Sequence, residues 1–135
     1  MGKFRQVRIQ GLRIGALRIL AFPGEVFSQT TIAVKSQQQE LGDKVRALLA
    51  DRGVNSVAAE GFQAPGVVVC YTTDADVQTG VKFAANGLQI AAGVPLQCDE
   101  PEDFQTFRLG LFGLDKLHNV DRTVKYLADA LDHIL

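Results

Sequence analysis

The chain has 135 residues, with 14 Lys+Arg set against 15 Asp+Glu and a net charge of −1. Hydrophobic residues make up 47% and charged residues 21%, a balance that excludes a disordered chain and suits a single domain over residues 1–135. No apolar run approaches the roughly 18 residues of a membrane helix, and the near-neutral balance gives no reason to expect nucleic acid.

The first segment, Lys3 to Leu20, reads as a helix without proline. Its cations Lys3, Arg5, Arg8, Arg13 and Arg18 leave no uninterrupted apolar stretch for a secretory signal. Apolar residues surround this helix on all sides, which predicts packing against several neighbours or self-association as a homodimer. Phe22-Pro23-Gly24 reads as a stop and turn. Thr30 to Val34 is rich in β-branched residues and reads as a strand. Ser36 then offers an N-cap to a helix whose core stripe is Leu41, Val45, Leu48 and Leu49, closed by Gly53.

Asn55 to Ala59 is a short strand candidate, and Val67 to Thr72 is the strongest strand pattern in the chain. Asp74 or Asp76 can cap a following helix with the stripe Val77, Val81, Ala84 and Ala85, ended by Gly87. Leu88 to Val94 and Thr106 to Phe112 read as strands around an acidic loop holding Asp99, Glu100, Glu102 and Asp103. Asn119 or Asp115 caps a last helix with the stripe Val120, Val124, Leu127, Leu131 and Ile134. The expected fold class is α+β. It is a two-layer sandwich of a mixed or mostly antiparallel sheet with helices mainly on one face, preceded by an N-terminal helix.

Catalytic and metal signatures are few. Neither a glycine-rich nucleotide loop nor a zinc-protease motif occurs. His118 and His133 lie at the two ends of the last helix, about 22 Å apart, too far to share a metal. No metal site and no catalytic residue is therefore assigned. Cys70 lies inside an apolar strand and reads as a core thiol. With Cys98 it forms no CxxC motif, as suits a reduced, cytoplasmic protein. The acidic loop reads as solvated.

The informative stretch is Phe107-Arg108-Leu109-Gly110-Leu111-Phe112-Gly113. Arg108 is the lone cation in an apolar strand. Its planar fork suits a bidentate grip on a carboxylate, and the glycines allow a ligand or backbone to come close. The alternative is an arginine that simply faces water.

This stretch, followed by a long amphipathic helix, resembles the end of a class V, fold-type-I pyridoxal-phosphate aminotransferase of the alanine–glyoxylate and serine–pyruvate group. The family's pattern there is an apolar residue, Arg, an aliphatic, Gly, two variable residues and Gly. Upstream, Gly87-Leu88-Gln89-Ile90-Ala91-Ala92-Gly93 resembles the family's short strand ending in glycine. The opening helix, Phe22-Pro23 and Thr30 to Val34 resemble the start of the family's small domain. Val54 to Ala85 holds an extra strand–helix unit relative to the simplest members.

The resemblance implies that Arg108 holds the carboxylate of an amino-acid or keto-acid substrate, with Gly93, Gly110 and Gly113 as the supporting loop. It implies pyridoxal 5'-phosphate for the parent family. The large domain that carries the Schiff-base lysine has no counterpart in these 135 residues, so no cofactor and no transamination are expected of this chain alone. The partner is then the missing large domain or a second copy. The alternative is a stand-alone carboxylate-binding or self-association module without catalysis.

Overall fold

The computed structural model describes residues 23–135, with side chains from Thr31 onward. The Lys3–Leu20 helix expected from the sequence lies outside these residues. The sheet and core lie within the compact unit of residues 34–135.

Helix α1 spans Pro23–Ala50. Pro23 therefore opens a helix instead of stopping one, and Thr30 to Val34 is helical instead of a strand. Proline fits the first helical turn, where its missing N–H has no acceptor to lose. The β preference of Thr-Thr-Ile-Ala-Val is weak and needs a partner strand to be expressed. Ser36 falls inside this helix and caps nothing. Side chains from Thr31 to Gln37 are exposed, whereas Leu41, Val45 and Leu49 are buried and Leu48 packs against them. The helix closes as expected at Gly53. The Gly53 N–H donates to Ala50 O and the Val54 N–H to Leu49 O, both at 2.9 Å, the paired bonds of a Schellman stop.

The sheet has three antiparallel strands in the order β1-β3-β2: β1 (Val67–Tyr71), β2 (Ala91–Ala92) and β3 (Thr106–Gly110). β1 and β3 pair Val68 with Leu109 and Cys70 with Phe107, all four buried. Asn55 to Ala59 is no strand and contributes one bridge, Ser56 to Cys70. The expected strand Leu88 to Val94 shrinks to two residues. The Leu88 N–H still belongs to the preceding helical turn, donating to Phe83 O at 2.9 Å, so the chain reaches the sheet only at Ala91.

Between β1 and β2 lie two one-turn helices, α2 (Ala75–Thr79) and α3 (Val81–Ala85). Asp74 caps α2 as expected, its carboxylate accepting the Asp76 and Val77 N–H groups. Gly80, at φ +85°, breaks what the sequence presents as one helix. The break turns Phe83 inward in place of Val81, Ala84 and Ala85, which are exposed. Phe83 then meets Phe107 with ring centroids 5.4 Å apart.

After β3 come α4 (Leu114–His118) and α5 (Val120–Ile134). Asn119 caps α5 by accepting the Arg122 N–H at 2.9 Å, while Asp115 sits within α4. Val120, Leu127, Leu131 and Ile134 are buried and Val124 is partly so. The pairs Lys44–Asp121 and Arg52–Asp132 tie α1 and the turn that closes it to α5. The inward residues of β1 and β3 share one core with α1, α2, α3, α4 and α5. The fold is thus α+β, an antiparallel sheet with its helices packed against one face.

Candidate carboxylate-binding site

Alternation along β3 decides where Arg108 goes. Phe107 and Leu109 enter the core, so Arg108 stands on the outer face, opposite Val69 on β1 and Ala91 on β2. It is half-buried. Its Nε–H donates to the carbonyl oxygen of Ala92 at 3.1 Å. Among the described residues no carboxylate comes within ion-pairing distance of it. With Nε engaged, the two terminal nitrogens remain as a fork that fits the two oxygens of one carboxylate.

The three glycines have different places. Gly110 shares the outer face with Arg108, and a Cβ there would meet only the Phe112 ring, at 3.7 Å. Gly93 follows the carbonyl that holds Arg108, and a Cβ there would lie 1.7 Å from the Thr106 carbonyl oxygen. Its bareness lets two backbones pack and leaves no room for a ligand. Gly113, at φ +118°, turns the chain from the strand into α4. Arg108 and Gly110 thus form one surface, while Gly93 and Gly113 hold the chain around it.

Lys44, Lys82 and Lys125 are each ion-paired with a carboxylate, and Lys116 donates to the Phe112 carbonyl at 2.7 Å. None lies beside Arg108 in the register of β3. Among the described residues no three His, Cys, Asp or Glu groups cluster as metal ligands. His133 Nδ1 lies 2.8 Å from Asp129 O on its own helix.

The acidic loop is organised by Glu100. Its carboxylate accepts the N–H groups of Cys98 and Gln97, at 2.8 and 2.9 Å, and these bonds hold its pKa down at about 2. Cys70 is buried, and loss of hydration pushes its thiol up to about 11.

Sequence reasoning missed the stripe Gln38, Gly42 and Arg46 on α1. Gln38 Nε2 donates to the carbonyls of Pro65 and Leu111, and Arg46 Nη2 donates to those of Ala64 and Val67. A Cβ at Gly42 would lie 2.8 Å from Pro65 O, so the helix rests directly on the loop that launches β1. Polar residues at helical spacing were the available signal, but their acceptors are main-chain atoms that no sequence pattern displays. No protein-family model matches the chain, and no curated protein matches it.

Proposed function

We propose that this chain is the substrate-side small domain of a class V aminotransferase-like protein, in which Arg108 grips the carboxylate of an amino or keto acid. One observation carries the reading. Arg108 stands on the outer sheet face with its Nε anchored to Ala92 O and its terminal fork facing no carboxylate among the described residues. Anchoring one nitrogen fixes the plane of the other two, so less side-chain freedom is lost when a carboxylate docks. In the parent such a grip would orient the substrate, while amino-group transfer would need the cofactor and lysine of a large domain.

Phe112 and Leu114 flank Gly113 and are 61% and 76% exposed, which suits a surface covered by that domain or by a second copy. No helix among the described residues is long and apolar enough to cross a membrane.

The test is calorimetry of the full chain with alanine, pyruvate and the corresponding amides, which lack the carboxylate, beside a pyridoxal-phosphate titration with borohydride trapping. The proposal expects millimolar binding of the acids, none of the amides, and no trapped adduct. Equal binding of acids and amides, or a stoichiometric adduct with turnover, overturns it.

A further inference from the structure

The two rungs of the β2–β3 ladder end at the Ala91–Arg108 pair. Continued pairing would set Ile90 against Leu109 and Gln89 against Gly110, but the chain peels away there toward the turn that ends α3. The Leu111 N–H donates to Gly66 O on the β1 side. The Gly110 N–H, one residue earlier, therefore faces the β2 edge. Among the described residues it has no acceptor.

A cavity of about 460 Å³ opens in this wedge. It lies between Gln89–Ile90, Leu109–Leu111 and α5, and Val45 and Leu127 also line it. This is the volume of a small-molecule site. Its lining also includes Lys116, Arg122, Thr123, Tyr126 and Asp115, two cations against one carboxylate. The Arg122 side chain is exposed and makes no hydrogen bond or ion pair among the described residues.

We infer that this wedge binds a small amphipathic carboxylate, its apolar body over Val45, Leu109, Leu111 and Leu127 and its anionic head among Arg122, Lys116 and the Gly110 N–H. Apolar walls account for the body and the excess positive charge for the sign of the head. The site is separate from Arg108, which does not line it.

The probe is octanoate below its micelle concentration, titrated into the full chain and followed by amide chemical shifts, with octanamide and acetate alongside. Octanoate is expected to move the Gly110 and Leu111 signals saturably, and octanamide and acetate far less. Arg122→Gln is expected to raise the octanoate Kd about fivefold while leaving octanamide unchanged. Arg108→Gln is expected to leave octanoate binding intact, so this site and the proposed Arg108 function fail separately. Equal binding of octanoate and octanamide, equal effect of acetate, an unchanged Kd in Arg122→Gln, or loss of binding in Arg108→Gln overturns the inference.

Discussion

The Nε–H of Arg108 donates to the carbonyl oxygen of Ala92 at 3.1 Å, across the sheet's outermost strand pair. The bond ties the head of the one cation on β3 to the edge strand. Arg108→Gln keeps the strand register because the side chain is half-buried and outward. We expect a stability change within about 0.5 kcal/mol by urea titration, together with loss of carboxylate binding.

Gly93→Ala should damage the fold far more than its chemistry suggests. The new methyl would sit 1.7 Å from Thr106 O, an atom fixed in the central strand. We expect destabilisation of about 2–3 kcal/mol, read from the urea midpoint, with β2 detached from β3 in amide exchange.

Phe107 is fully buried against Phe83, and the two rings join the sheet to α3. Phe107→Ala should cost about 3–5 kcal/mol. Thermal melting should show a much lower Tm, and Phe83→Ala should cost less when added to Phe107→Ala than alone, since the pair is already broken.

The two thiols should differ sharply. Cys98 is exposed and Cys70 is 1% exposed, with a pKa pushed up to about 11. A thiol reagent at pH 8 should label one cysteine quickly in the folded protein. Cys70 should react only as the domain opens, at a rate that rises in Phe107→Ala.

Glu100 has its carboxyl held below the ordinary 4.5, at about 2, by the N–H groups it accepts. A carboxylate with a depressed folded pKa contributes stability above about pH 4.5 and loses it as pH falls toward 2. Carbon-detected titration should place its midpoint near 2. Glu100→Gln should flatten the fall in loop order over that interval.

The sequence shows most clearly the elements whose signal is internal to them. The 4-3-4-3 stripe of α5 marks a helix whatever surrounds it, and Leu41, Val45 and Leu49 mark the second half of α1. Misreadings occur where a partner decides the outcome. Thr30 to Val34 has strand residues but lies within a helix, and Leu88 to Ile90 has them but is held by the preceding turn. Arg108 was legible as a candidate because a lone cation in an apolar strand needs an explanation. The wedge beside it was not, because it exists only where two strands stop pairing. Arg122 and Lys116 are ordinary helix cations until the fold brings them to its rim.

Carboxylate binding at Arg108 is tested most directly by the chemical shift of its Nε–H, followed while pyruvate is added to the protein. The proton is identified by its loss in Arg108→Gln. A saturable shift is expected with pyruvate and none with pyruvamide. A resonance that ignores pyruvate, or that moves equally with the uncharged amide, would show that Arg108 only braces the edge strand.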